Sequence, residues 1–419
     1  MIKKIKNIYK IFGPGILMAT AAIGGSHLVS STQAGALFGW SLAIFILLIN
    51  FFKYPFFLAN VQYTMATKKS LIEGYASLGN SWLWLFTILA VIAAVVNTAA
   101  VSMFAASLLG YFIPIKLTIN ILSFIIIFAC ILILIAGKYN LLNNVSKIIM
   151  ITLSIATVVA VVMAVTKDVN STLTDDFISP SAWTIASLGF IVILTGWMPA
   201  PIEISSIGSI WLKNQIKQIN INAKNALLDF NVGFIVTAIL ALFFLALGAL
   251  VLHGSAYEFK DGIAFSHQLV TMYSTVIGDW SRLLIAFIAF ACMFGTSITV
   301  IDGYGRAVAE AFSLIRKNRS ASNRSVAIWT IFISIIGFLI IIYFASSMRT
   351  MLDFAMILSF TTTPIFAFLN YKLVRSTKLP KELQNGMFLN ILSICGLIFL
   401  FGFLILFIVY RWFPFLIGL

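Results

Sequence analysis

Long apolar runs alternate with short polar connections along almost the whole chain. Each run is about the ~20 residues a helix needs to cross the hydrocarbon of a bilayer. They predict about eleven spans, at roughly 13–36, 41–66, 82–112, 116–136, 140–166, 182–212, 228–252, 282–314, 325–347, 350–375 and 386–412. Several have amphipathic ends that project from the membrane. The longest connections are 166–181 and 253–281; the second, holding His253, Tyr257 and His267, predicts a short surface helix or lid. No linker, low-complexity tract or soluble domain interrupts the pattern, so the chain reads as a single transmembrane domain over 1–419.

Two spans break the rule that membrane helices run on undisturbed. The first, Gly13 to Ala36, carries Gly24-Gly25-Ser26-His27 at its middle. Such a break bares backbone N–H and C=O groups that lipid cannot satisfy, so it is tolerated only where it lines a protein cavity. The sixth carries Thr195-Gly196-Trp197-Met198-Pro199-Ala200-Pro201-Ile202-Glu203. Two prolines one residue apart remove two backbone donors and clash with the preceding turn, so this helix must break near Gly196–Pro201. Either break alone could be a plain kink. Their separation, about five spans, points instead to two five-helix repeats, the second inverted because five is odd: about 13–166 and 182–375, with an extra helix at 386–412. Inverted repeats place a transport site at the midplane, between the unwound segments.

Composition strengthens this picture. The chain has 419 residues, 61% hydrophobic and 10% charged, with mean hydropathy +1.06. A soluble protein could not bury that much apolar surface. The net charge of +14 would suggest nucleic acid in a soluble protein, but here the basic residues sit in short connections and report topology. One side receives Lys3, Lys4, Lys6, Lys10, Lys68, Lys69, Lys138, Lys213, Lys217, Lys224, Arg316, Lys317, Arg319, Arg324, Lys372, Arg375, Lys378 and Lys381. The other receives Asp168, Asp175, Asp176, Glu258 and Asp261. The N-terminus is therefore expected in the cytoplasm and the C-terminus outside. The basic start resembles a signal-peptide n-region, but Gly13-Pro14-Gly15 breaks any following apolar core and cleavage is not expected. Cys130, Cys292 and Cys395 fall inside apolar segments without metal-ligand spacing and read as buried, inert thiols.

Ionisable residues inside spans are costly and mark candidate sites. His27 stands in the first break and could be a metal ligand, a proton carrier or a donor to a carbonyl. Met198 offers a soft thioether that suits transition metals; plain packing is its alternative. Glu203 lies one turn past the second break. Lys53, beside Pro55, is expected to pair with a carboxylate or to snorkel. Asp302 and Arg306, four apart, are expected to pair on one helix face, and Asp353 reads as interfacial. Span three holds no charged residue. Carbonyls at the half-helix ends near Gly24 and Thr195 favour a cation; N–H groups at the half-helix starts near His27 and Ala200 favour an anion.

At these residues the chain resembles the NRAMP superfamily of divalent-metal transporters, which have a LeuT-type fold. Gly13-Pro14-Gly15, Gly24-Gly25-Ser26-His27, Gln33, Gly35 and Phe38-Gly39-Trp40 occupy the places of the family's Gly-Pro-Gly, Asp-Pro-Gly-Asn and Phe-Gly-Tyr pattern. Asn50 and Thr67-Lys68-Lys69-Ser70-Leu71 continue it, and Met198-Pro199-Ala200 stands where the family has Met-Pro-His. Hydropathy extends the likeness over nearly the whole chain. The form of the second break is similar to a divergent, NRAMP-related bacterial subgroup, which implies the inner (plasma) membrane of a bacterium. The resemblance puts the family's metal-binding Asp on Gly24, its Asn on His27, its Met on Met198, its ligating carbonyl on Thr195 and its His on Ala200. The family's third-span acids have no counterpart, so its proton route is expected to be missing.

Two readings follow. In the first the chain moves a divalent cation such as Mn²⁺ or Fe²⁺ by alternating access, with His27 and Met198 as ligands, the carbonyls of Ile23 and Thr195 beside them and Glu203 nearby. In the second the same scaffold moves a small organic solute, an amino acid or carboxylate, held by N–H groups near Gly25 and Ser26, with Gly196 at the break and Trp197 as an apolar wall, and coupled to Na⁺ or H⁺. Pro199, Pro201, Asp302 and Arg306 are structural or gating residues in both. The lipid bilayer and the transported species are the expected partners. No cofactor or nucleic acid is expected, and no nucleophile–base constellation suggests an enzyme.

Overall fold

The computed structural model describes residues 13–135, 139–166, 178–254, 260, 262–318 and 320–413. Lys3, Lys4, Lys6, Lys10, Lys138, Asp168, Asp175, Asp176, Tyr257, Glu258, Asp261 and Arg319 lie outside the described residues. Among the described residues the secondary structure is helical throughout, without strands.

The first span is three pieces. Helix α1, Pro14–Ala22, has Pro14 in its first turn, where a missing N–H costs nothing. The chain leaves helical geometry at Ile23, then makes a π-helical turn, Ser26–Ser31, and resumes as α2, Thr32–Phe38. The start of α1 is held from across the bundle: the backbone N–H groups of Gly13 and Gly15 donate to the Asp229 carboxylate at 3.2 and 2.7 Å. Gly15 allows that approach, because a Cβ there would overlap the Asp229 backbone.

The second span is α3, Ala43–Thr67, which contains Pro55 and ends on Lys68 in the left-handed conformation. A short helix unforeseen from hydropathy, α4, Leu71–Leu78, follows. Its signal is a capping box: the Ser70 Oγ accepts from the Glu73 N–H at 3.2 Å, and the Glu73 carboxylate accepts from the Ser70 N–H at 2.7 Å. Next come α5, Asn80–Gly110, α6, Ile119–Ile135, and α7, Tyr139–Thr166.

The sixth span is again split. Helix α8, Leu188–Trp197, ends before the prolines, and α9, Ile204–Gln218, starts after them with Glu203 at its N-cap. The Met198–Pro199 peptide is cis. The remaining helices are α10, Ala223–Val251; α11, Ile263–Ile277; α12, Arg282–Ile315; α13, Asn323–Tyr343; α14, Met348–Ser376; and α15, Met387–Trp412. Helix α11 falls in the expected lid region but is no loose cover: Phe265, Leu269, Met272 and Tyr273 are buried, and it packs on α5, α7 and α12.

Seven helices among the described residues are long and apolar enough to cross a membrane, namely α3, α5, α10, α12, α13, α14 and α15. Spans four and five contribute shorter apolar helices, and spans one and six are cut by their breaks. Helices α5 and α12 form the closest pair, α1 and α2 lie along α10, and α8 lies along α14. Helices α13 and α15 keep most of their apolar residues exposed, a face suited to lipid. Cys130 and Cys292 are buried as expected, but Cys395 is exposed on α15. That corrects the reading of three buried thiols; an apolar run marks a membrane helix without saying which face looks inward.

Candidate functional site

The two breaks lie side by side. Ser26 joins them: its hydroxyl donates to the Ala22 carbonyl at 2.6 Å and lies 3.3 Å from the Pro199 carbonyl. Trp197 closes over Gly25, where a Cβ would overlap the indole. Between them, α5 and α12 complete a small cavity of about 30 Å³, room for one or two waters. Its polar wall is Ser26, Asn97, Trp197, Thr296 and Tyr304; Ala22, Val101, Pro199, Ile204 and Val300 are among its apolar lining.

A hydrogen-bonded chain runs through this wall. The Trp197 Nε1–H lies 3.1 Å from both Asn97 Oδ1 and Ser359 Oγ. The Asn97 Nδ2 donates to the Tyr304 hydroxyl at 2.9 Å, and that hydroxyl donates to Glu203 Oε1 at 3.1 Å. Glu203 is buried, and its Oε2 meets no donor from another residue. Asn97, Thr296, Tyr304 and Ser359 were missed in the sequence. The readable signal is Asn97, an amide inside an apolar run that charge alone passes over.

Lys53 neither snorkels nor hydrogen-bonds a carboxylate. Its buried ammonium donates to the carbonyls of Thr195 at 2.7 Å, Gly196 at 3.3 Å and Ala200 at 3.4 Å, with Glu203 close enough to feel its charge. The carbonyl end of α8, expected to favour a cation, already holds one.

The other anticipated residues are placed as follows. His27 is buried, with Nε2 donating to the Thr237 carbonyl at 2.9 Å and Nδ1 2.6 Å from the Ser26 hydroxyl. Both ring nitrogens are thus engaged, and the imidazole ties the π-helical turn to α10. Met198 is buried in a separate apolar cluster with Phe38, Leu42, Phe45 and Leu194. Neither lines the cavity. The Ile23 carbonyl accepts from Cys292 Sγ at 3.0 Å. Gly24 packs against Thr296 and Met293, leaving little space for a side chain, and Gly196 lies on the backbone of Met356 in α14. Of the anticipated set, Gly25, Ser26, Trp197, Pro199 and Pro201 line the cavity, and Glu203 reaches it through Tyr304. Arg306 Nε donates to both Asp302 oxygens, at 2.9 and 2.8 Å, away from the cavity. Among the described residues no three His, Cys, Asp or Glu side chains gather closely enough to hold a metal ion.

Two interrupted helices that meet over a small cavity inside an apolar bundle define an integral membrane protein of LeuT-like fold. The chain belongs to the Nramp family: the family model described as "Natural resistance-associated macrophage protein-like" matches residues 15–410. A relative from Pasteurella multocida (strain Pm70), Uncharacterized protein PM0681, is 48% identical over 404 residues, 96% of this chain and 92% of its own length. Among solved structures, a mutant manganese transporter from Eremococcus coleocola matches with TM-score 0.75 at 14% identity, over 96% of this chain and 87% of that one. MhsT in complex with L-phenylalanine matches with TM-score 0.64 at 13% identity, over 93% and 98%. Mhp1, a nucleobase-cation-symport-1 family transporter, gives 0.58 at 13%, over 96% and 92%. At these identities the structures speak for the fold alone.

Proposed function

We propose that this chain is an alternating-access transporter whose cargo binds in the cavity between the breaks of spans one and six. On this reading eleven spans form two inverted five-helix repeats and one added helix, in a bacterial inner membrane. The bundle carrying the breaks rocks against spans three, four, eight and nine.

Two cargo classes compete. Membership of the Nramp family, and a fold shared with a manganese transporter, support a metal ion, Mn²⁺- or Fe²⁺-like. Such an ion would meet only neutral oxygens, from Ser26, Asn97, Thr296 and Tyr304, because Gly24 stands where the family's Asp would be. A divalent ion leaves water reluctantly for a site without an anionic ligand. The observation that carries the conclusion is the cavity wall itself: hydroxyls, an amide, an indole and apolar side chains, with no charged, thiol or imidazole group. Ligand sites for small organic molecules have this make-up, mostly apolar with a few placed polar groups. We therefore favour a small organic solute as cargo, with the metal ion as the second reading.

Full-length protein in proteoliposomes separates them. Exchange of preloaded organic solutes, lost in Trp197→Ala, is the expected result. Mn²⁺ uptake seen with an entrapped dye, and lost in Asn97→Ala, would instead establish the metal reading.

A further inference from the structure

We infer that the protein's own charges neutralise both ends of the span-six break, Lys53 at the carbonyl end of α8 and Glu203 at the N-terminus of α9, so that the cavity selects uncharged solutes. The inference rests on the transporter reading above and narrows its cargo from organic solutes in general to those without net or separated charge.

A broken helix bares carbonyls on one side of the gap and N–H groups on the other. The aligned peptide dipoles give the carbonyl end partial negative charge and the N–H end partial positive charge. Those two ends are what a broken membrane helix offers to a charged cargo. Here each is occupied. The Lys53 ammonium has three N–H donors, and three carbonyls accept from it: Thr195, Gly196 and Ala200, at 2.7, 3.3 and 3.4 Å. A second cation would have to displace that ammonium or sit beside it in a medium that screens charge poorly. Glu203, 1% exposed, stands at the N-cap position of α9. Its carboxylate accepts from Tyr304 and makes no hydrogen bond to the helix, so it acts there through its charge, which complements the N-terminal dipole. A cargo carboxylate aimed at the same N–H groups would meet its charge. The other buried acidic and imidazole side chains among the described residues are committed elsewhere. Asp302 pairs with Arg306, Lys213 with Glu73 and Glu310, and Asp229 accepts from Gly13 and Gly15. His27 is tied to the Thr237 carbonyl.

The cavity can therefore read only shape and neutral hydrogen bonds. Trp197, Val101 and Val300 offer apolar contact, and Thr296 and Tyr304 offer hydroxyls. The matching solute is small, uncharged and mostly apolar, with one or two hydrogen-bonding groups; a carboxamide is the simplest example, and the cavity, about 30 Å³ here, must widen to admit it.

The test uses purified full-length protein and two probes. Mn²⁺ binding is read by paramagnetic resonance of the free ion, and thermal stability is read against acetamide, propionamide, acetate and glycine. Wild type should bind no Mn²⁺ and gain stability from the amides, not from acetate or glycine. Lys53→Met leaves the carbonyl end bare beside an uncompensated Glu203, so Mn²⁺ affinity should rise at least about tenfold. Lys53→Met with Glu203→Gln makes the break neutral again and should lose that gain. Wild type that binds Mn²⁺ as tightly as Lys53→Met, or is stabilised by acetate or glycine as much as by the amides, overturns the inference. The comparison of amides with acetate and glycine uses wild type alone and decides even if a variant fails to fold. A protein that passes these binding tests yet moves no solute in proteoliposomes refutes the transporter reading and leaves the charge assignment standing.

Discussion

A histidine buried at a helix break must place two ring nitrogens, and in His27 both meet groups of the protein. Because the Thr237 carbonyl can only accept, Nε2 carries the proton, and Nδ1 lies 2.6 Å from the Ser26 hydroxyl, for whose single proton it competes with the Ala22 carbonyl. His27→Ala removes a buried ring and strands the Thr237 carbonyl, so it is expected to cost about 2–4 kcal/mol of stability. Thermal unfolding of the variant in the same lipid measures this. An unchanged unfolding temperature with a lost ligand response would instead mark His27 as a cargo contact. The type of residue at this position was legible in the sequence; its direction was not. Gly25, Ser26 and Trp197 line the cavity, whereas His27 and Met198 turn to other partners. A few residues along a broken helix reverse the face presented, and no local pattern encodes that. Lys53 is the sharpest case: its acceptors lie about 140 residues away in sequence and at a break, where hydropathy gives no register.

At the scale of elements, α4, α9 and α12 are clasped at the end expected to face the cytoplasm. Lys213 on α9 bridges Glu73 on α4 at 2.6 Å and Glu310 on α12 at 3.1 Å, and Ser70 donates to Glu310 at 3.1 Å. All three charged side chains are mostly shielded from water, where an ion pair resists screening better than on an open surface. Lys213→Ala leaves two carboxylates facing each other without a cation and should favour opening on that side. Cys292 offers a native reporter, since it is buried and its Sγ donates to the Ile23 carbonyl at the first break. Its labelling by a membrane-permeant maleimide is expected to be slow in wild type and several-fold faster in Lys213→Ala, as the clasp loosens. Equal rates, mapped by peptide analysis to keep Cys395 apart, would show that the clasp does not control access. The helices themselves were largely legible from apolar runs and from Pro14, Pro199 and Pro201. The clasp was not, because Lys213 reads as a marker of sidedness and nothing local pairs it with Glu73 or Glu310, 140 and 97 residues away. Only the Ser70–Glu73 capping box announced α4.

For the whole molecule, the number of crossings decides where the two ends lie. Length and composition alone qualify seven helices among the described residues, yet the elements between them can also cross. Pro14 to Phe38, taken through its break, covers roughly 37 Å at the ~1.5 Å rise of a helix, enough for a hydrocarbon core of about 30 Å. Leu188 to Gln218 does the same in the sixth span, and α6 and α7 lie between α5 and that split span, where two crossings keep Lys68 and Lys69 on the same side as Lys213 and Lys217. If all of these cross, the count is the expected eleven, an odd number, which would set the termini on opposite faces. The basic connections then fall together: Lys68 and Lys69, Lys213 and Lys217, Arg316 and Lys317, and Lys372 and Lys378 all share one side. Green fluorescent protein fused to the C-terminus of the full chain should therefore stay dark in a bacterium, because it does not fold after export, and alkaline phosphatase fused there should be active. A fluorescent C-terminal fusion would mean an even count. The inverted pairing of spans one and six would then fail with it, because an inverted second repeat requires five crossings in the first.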